Sequence, residues 1–179
     1  MAQRGLVETY DIRRDPPAAV IYNYRIHRWL LAFPDVMRYL SRHYVPVYRN
    51  LLLPGMSGTI EARPMRLAWR APAAGQYDVW ASDLLAKHPW FARPYEYALV
   101  EGEDAVLMRI PLDELPPFPY ESLQWTVDGV PVPRGVRTVS LKKGARVEVV
   151  ASPSERIGVM LVPHGVKTLC VAPEERFVF

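Results

Sequence analysis

The chain has 179 residues, of which 50% are hydrophobic and 11% aromatic. This length suits one domain, or one domain with a small appendage, and the apolar content excludes global disorder. The formal net charge of +3 is uneven, because residues 1–70 hold eleven arginines, no lysine and five acidic residues, a net charge of +6.

An arginine-rich first part suits the phosphate groups of lipid headgroups or of nucleic acid. A solvated arginine-rich surface is the alternative interpretation. The arginines are scattered and belong to no nucleic-acid motif, so the sequence predicts no nucleic-acid partner.

The first predicted elements form a β-α-β unit. Residues 18–24 are β-branched and aromatic, which predicts a buried strand entered through a proline turn. A helix is expected to begin near Pro34, because proline suits the first helical turn and apolar side chains follow at a spacing of three and four. Residues 45–55 predict a second strand that ends in a turn. A β-α-β unit over residues 18–53 favours parallel pairing of its strands.

After residue 58 the pattern changes to short strand-like segments separated by Pro, Gly, Asp and Ser. These segments are 66–70, 75–81, 105–110, 123–127, 136–141, 146–151, 158–162, 167–172 and 176–179. Their spacing is typical of a β-sandwich or barrel, and the Asp-Gly pair within Val127–Val130 predicts a tight hairpin turn. Further glycine turns are expected near Gly144 and Gly165.

The predicted fold class is therefore α+β, with two parts. Residues 1–58 form the α/β unit, and residues 59–179 form a mainly antiparallel, sandwich-like β part. The proline-rich stretch 116–120 is a rigid connector, so a sub-boundary near 115–121 is an alternative division.

Two stretches of the first part carry a family resemblance, "DPPAAVIYNY" and "FPDVMRYLSRHYVPV". The matching positions are Pro16, Pro17, Phe33, Pro34, Val36, Tyr39, Leu40, Tyr44 and Val47. This pattern resembles the extracytoplasmic C-terminal region of membrane-embedded, polyprenyl-linked-sugar glycosyltransferases, the group that contains protein mannosyltransferases and aminoarabinose transferases. Residues 70–162 resemble more weakly the β domain that follows in bacterial members, and also surface-layer β modules.

The resemblance implies a membrane-associated setting and no catalytic residue. In that family the catalytic acid and the lipid-phosphate site lie in transmembrane helices and their loops, to which no residue of this sequence corresponds. The four histidines, His27, His43, His88 and His164, show no metal-ligand spacing. Cys170 lies in an apolar segment and has no partner for an internal disulfide. The sequence thus predicts no enzyme activity, no cofactor and no metal site.

Two stretches combine cationic and aromatic side chains and are the candidate binding sites. In residues 86–97 the candidates are Trp90, Phe91, Arg93 and Tyr95. In residues 22–29 they are Arg25, Arg28 and Trp29. Aromatic rings stack on sugars, sit at membrane interfaces or anchor protein partners, and arginine suits an anionic headgroup. The alternatives are aromatic rings folded over the β core and a structural arginine-rich loop.

The sequence predicts a non-catalytic accessory or docking subunit of a bacterial membrane-associated protein complex. Expected partners are a membrane protein complex or a membrane surface, with a glycan as a further option. Two alternatives stay open, namely the excised periplasmic C-terminal domain of a lipid-linked-sugar glycosyltransferase and a carbohydrate-binding β module. Since no signal peptide precedes residue 18, a peripheral cytoplasmic location is expected if Met1 is the true start, and a periplasmic one if the chain is excised.

Overall fold

The computed structural model describes residues 12–21, 32–48, 51–61, 64–87, 108–115, 123–151 and 156–171. Within these ranges the chain forms thirteen β-strands, two α-helices and one 3-10 helix. The strands are β1 (Val20–Ile21), β2 (Tyr44–Tyr48), β3 (Leu51–Pro54), β4 (Met56–Ile60), β5 (Met65–Arg70), β6 (Gly75–Ser82), β7 (Met108–Pro111), β8 (Leu123–Val127), β9 (Val130–Pro131), β10 (Thr138–Leu141), β11 (Arg146–Ala151), β12 (Ile157–Pro163) and β13 (Thr168–Val171). The helices are α1 (Pro34–His43), α2 (Asp83–Lys87) and the 3-10 helix (Leu112–Glu114).

Eight of these strands form two four-stranded antiparallel sheets. The central sheet has the order β10-β6-β12-β4, and the outer sheet has the order β5-β11-β8-β9. Hydrogen-bonded partners are nested along the sequence, because β4 pairs with β12, β5 with β11, β6 with β10 and β8 with β9. Such nesting is one long antiparallel ribbon folded over on itself, which is the strand arrangement of a jelly roll.

Two apolar cores lie on the two faces of the central sheet. The first is shared with the outer sheet and includes the buried rings of Trp69 and Trp125. β12 contributes to both cores, since Leu161 belongs to the first and Met160 and Val162 to the second. A strand buried on both faces needs apolar residues at every position, which explains the unbroken run over residues 158–162.

The second core lies between the central sheet and a layer of smaller elements. This layer contains α1, α2, the sheet β1-β3-β2 and the pair β13-β7. Leu40, Tyr44 and Leu85 are among its fully or almost fully buried side chains. The phenolic hydroxyl of Tyr44 donates a hydrogen bond to the carbonyl oxygen of Pro17 (2.7 Å), which holds the N-terminal segment against this layer.

Several sequence predictions are confirmed. α1 begins at Pro34, has an acidic residue in its first turn and ends with basic residues, as the pattern indicates. The Asp-Gly hairpin is confirmed, because Asp128 and Gly129 have φ angles of 49° and 81°, both positive, as a type I′ turn requires. The mainly antiparallel β character is also confirmed, since the described strand pairs are antiparallel.

The predicted β-α-β unit is not confirmed. β1 and β2 each pair antiparallel with β3, which lies between them, so the two strands that flank α1 are not hydrogen-bonded neighbours. The single strand predicted over residues 45–55 is wrong. The chain reverses its direction between Tyr48 and Leu51, which face each other, and the stretch forms β2 and β3. The two-part division of the chain stays a prediction, and its boundary at residues 58 and 59 falls within β4.

Candidate anion-binding groove

A groove of about 580 Å³ lies between the C-terminal end of α1 and the edge strand β5. Its size is within the range of about 300–1,000 Å³ that is typical of ligand sites. α1 and the segment before it supply Arg13, Tyr39, Arg42 and His43. The outer sheet and its turns supply residues 68–72 together with Lys143, Gly144 and Arg146.

The groove is strongly cationic. The described residues of its lining include five cationic side chains and no carboxylate, the cations being Arg13, Arg42, Arg70, Lys143 and Arg146. Arg146 is neutralised, because its Nη2 lies 2.6 Å from Oε1 of Glu148. The ion pairs between described residues do not include Arg42, Arg70 or Lys143, so their charges are left for a ligand.

Backbone carbonyls hold two of these cations beside the groove. Nζ of Lys143 donates a hydrogen bond to the carbonyl oxygen of Arg14 (3.0 Å), and Nη1 of Arg70 donates one to the carbonyl oxygen of Gly144 (3.4 Å). Hydrogen bonds to neutral carbonyls orient a cation without cancelling its charge. The two side chains are therefore positioned and still cationic.

His43 does not add to the positive charge at neutral pH. Its ring stacks on that of Tyr39 with a centroid distance of 4.4 Å, and its Nδ1 lies 3.1 Å from the carbonyl oxygen of Tyr39. Burial lowers the pKa of His43 below its ordinary value, and the nearby charge of Arg42 lowers that pKa further, against the opposing effect of the Tyr39 carbonyl. The groove's charge thus comes from its arginines and lysine.

This arrangement is suited to holding an anion. Arginine guanidinium groups bind carboxylates and phosphates through paired, charge-assisted hydrogen bonds. The described lining residues place Arg42, Arg70 and Lys143 around one cavity. The described groove is therefore suited to recognise a negative group.

Comparison with protein-family models, curated proteins and solved structures found no match. Within the described ranges, no three metal-ligating side chains form a cluster. No helix in that part of the chain is long and apolar enough to cross a membrane.

The binding residues predicted from the sequence lie outside the described residues. They are Arg25, Arg28, Trp29, Trp90, Phe91, Arg93 and Tyr95. No local motif of the sequence indicates the groove, because its cations come from segments that lie far apart in the chain. The arginine excess of residues 1–70 was the available signal, since three of the lining cations, Arg13, Arg42 and Arg70, belong to it.

Proposed function

We propose that this chain is a non-catalytic docking module that holds an anionic partner of a membrane-associated assembly in the groove between α1 and β5. The observation that carries the proposal is the set of three cationic side chains, Arg42, Arg70 and Lys143, that line a cavity of about 580 Å³ and form no ion pair with another described residue. Like charges that converge on one groove destabilise the unbound fold, and an anion relieves that repulsion.

The basic surface continues from the groove onto the exposed face of the outer sheet. Arg66 and Arg70 are exposed on β5, and Arg146 lies opposite Arg70 on β11. Glu148 is the one acidic residue on β5, β8 and β11, and it is shared by Arg66 (3.7 Å) and Arg146 (2.6 Å). The face keeps a net positive charge, which steers an acidic partner towards the groove.

Descent from the soluble region of a polyprenyl-linked-sugar glycosyltransferase is part of the proposal and is supported by the proline and helix motifs of the first part. It places the module beside a membrane. The jelly-roll topology does not choose between docking and carbohydrate binding, since such folds serve many functions. The aromatic residues expected for a glycan site, Trp90 above all, lie outside the described residues.

The test is the binding of anionic probes to the full chain and to charge-reversed variants. The probes are a fluorescent oligoglutamate peptide, followed by anisotropy, and phosphatidylcholine vesicles with or without phosphatidylglycerol, followed by co-sedimentation. Arg42→Glu combined with Lys143→Glu should weaken binding by about fourfold or more, because two attractions of about 0.2–1 kcal/mol each are replaced by repulsions of similar size. Physiological salt should weaken binding by the unmodified chain as well.

Arg134→Glu combined with Lys167→Glu is the matched control, because it also reverses one arginine and one lysine, at exposed positions that are not among the groove's lining residues. Binding by this control should stay within about twofold of the unmodified chain. The proposal is overturned if neither probe binds, or if the control and the groove variant weaken binding equally.

A further inference from the structure

Within the part of the chain that the structure describes, β5 has no strand on the side of its backbone that faces away from β11. It is the edge strand of the outer sheet, and among the described strands it pairs with β11 alone. At the end of β5, the N–H of Ala71 donates to the carbonyl oxygen of Ala145 (2.9 Å), and the carbonyl of Ala71 accepts from the N–H of Gly144 (2.8 Å). Ala71 therefore directs both of its backbone groups towards β11.

Successive residues of a strand direct their backbone groups to opposite sides, so Arg70, Ala68 and Arg66 direct theirs away from β11. Arg146, which lies opposite Arg70 on β11, gives independent support for this direction of the backbone groups. Arg146 uses its N–H and carbonyl for Asp128, at 2.7 and 2.8 Å, on the β8 side. The backbone groups of Arg70 thus have no counterpart on β11 and point to the free edge.

This free edge lies along the groove. β5 contributes residues 68–70 to one wall of the groove, and the six residues of the strand extend for about 20 Å. The edge therefore offers alternating N–H donors and carbonyl acceptors over a length suited to a short strand. Arg66 and Arg70 project from the same edge on the exposed face, with Ala68 between them.

We infer that the groove binds an extended acidic segment of a partner protein, which adds to β5 as a fifth strand of the outer sheet. This inference rests on the proposed function and names the chemical class of its partner. Strand addition satisfies both the N–H and the carbonyl groups of the edge in alternation, whereas a phosphate group only accepts hydrogen bonds and satisfies only the N–H groups. The phosphate of a lipid therefore uses half of the hydrogen-bonding groups that β5 offers.

The arginines of the edge define the sequence that is favoured. Side chains on the same face of adjacent strands interact, so every second residue of the added strand lies beside Arg66 or Arg70. Acidic residues at alternate positions are favoured there, while neutral and basic strands are not, because charged edges repel non-specific pairing. The partner segment is accordingly extended, with Asp or Glu at every second position.

The experiment uses three synthetic peptides of alternating Glu and Thr with the full chain. One is unmodified, one is N-methylated on its Glu residues and one on its Thr residues. In the added strand, either the Glu N–H groups or the Thr N–H groups face β5, and those of the other residue type face away. The peptide that is methylated on the N–H groups facing β5 should bind about tenfold more weakly. The peptide that is methylated on the other N–H groups should bind like the unmodified peptide. Amide exchange followed by NMR should show slower exchange at Ala68 and Arg70 when the unmodified peptide is bound.

Three other outcomes would contradict the inference, and one of them would also contradict the proposed function. If both methylated peptides bind like the unmodified one, and Arg42→Glu with Lys143→Glu still weakens binding, the groove is a purely electrostatic site and the inference fails alone. If phosphatidylglycerol vesicles slow exchange at Ala68 and Arg70 and the peptides do not, the membrane is the partner and the inference fails. If no anionic probe binds, both the inference and the proposed function fail.

Discussion

Replacing Gly158 with alanine places a methyl group at the point where β12 and α2 come closest. A Cβ at this position lies 2.4 Å from the carbonyl carbon of Leu85 and 2.5 Å from the backbone nitrogen of Ala86. Non-bonded carbon atoms prefer separations of about 3.5–4.0 Å, so the two backbones must move apart by about 1 Å. The obstructing atoms belong to the main chain, and no side-chain rotation removes them.

Two estimates of the stability that Gly158→Ala removes agree with each other. Overpacking of a core costs about 1–3 kcal/mol, and the upper end applies because β12 is hydrogen-bonded on both sides, to β4 and β6. If α2 lifts away instead, the fully buried side chain of Leu85 becomes exposed, which costs about 1.5–3 kcal/mol. We expect Gly158→Ala to lower the free energy of unfolding by about 3 kcal/mol.

Urea unfolding followed by far-UV circular dichroism measures this change, and Tm should fall by about 6–12 °C for a chain of this size. Gly75→Ala is the matched control, because it lies in β6 and its added Cβ meets no atom closer than Cε2 of Tyr77 at 3.8 Å. It should change stability by no more than about 1 kcal/mol. A loss below about 1 kcal/mol for Gly158→Ala would refute the close packing of α2 on β12.

Two further predictions concern His43 and Trp69. The free energy of unfolding should fall as pH drops below 6.5, because burial lowers the pKa of folded His43 and the unfolded chain then binds the proton more tightly. Urea unfolding at pH 7.5 and pH 5.5 measures this dependence, and His43→Asn should reduce it; an unchanged dependence would contradict the assignment to His43. Trp69→Phe should cost about 1–3 kcal/mol, because Nε1 of the buried Trp69 donates a hydrogen bond of 3.1 Å to the carbonyl oxygen of Ser57. Equal urea midpoints for Trp69→Phe and the unmodified chain would show that this hydrogen bond contributes nothing.

Local features of the fold were predictable from the sequence because local chemistry decides them. Pro34 has no N–H to lose at the start of a helix, and basic residues follow at the end of α1. Asp128 and Gly129 tolerate positive φ angles better than most residues, which selects the type I′ turn. Most downstream strands lie where alternating or continuous apolar segments predict them.

The sequence pattern does not predict β4, because the three central residues of its sequence MSGTI are small or polar. Its burial depends on contacts with distant residues. Ser57 donates a hydrogen bond to the carbonyl oxygen of Ser41 (3.0 Å), and a Cβ at Gly58 would lie 2.9 Å from Leu67 and 3.0 Å from Trp69. Small and polar residues are thus favoured by close packing, a condition that only the folded chain reveals.

The position of the groove also depends on contacts between distant residues, so the sequence does not predict it. Arg42 and Lys143 are about a hundred residues apart in the chain, and the jelly-roll pairing brings their segments to one cavity. Periodicity identifies strands but not their partners, since register and order depend on the whole sheet. The charge excess of residues 1–70 indicated an anionic ligand without indicating where it binds.

The nested pairing also determines the order in which the fold can be completed. β12 is the last strand of the two sheets to be synthesised, yet it lies between β4 and β6, and Met56 pairs with Leu161. Until β12 is synthesised, the central sheet lacks one of its two inner strands, and both cores lack residues that β12 supplies. Folding dominated by such distant contacts is slow, on the order of milliseconds to seconds. A growing chain therefore carries unpaired strand edges on β4 and β6 until β12 has been synthesised, and such edges make it prone to aggregate.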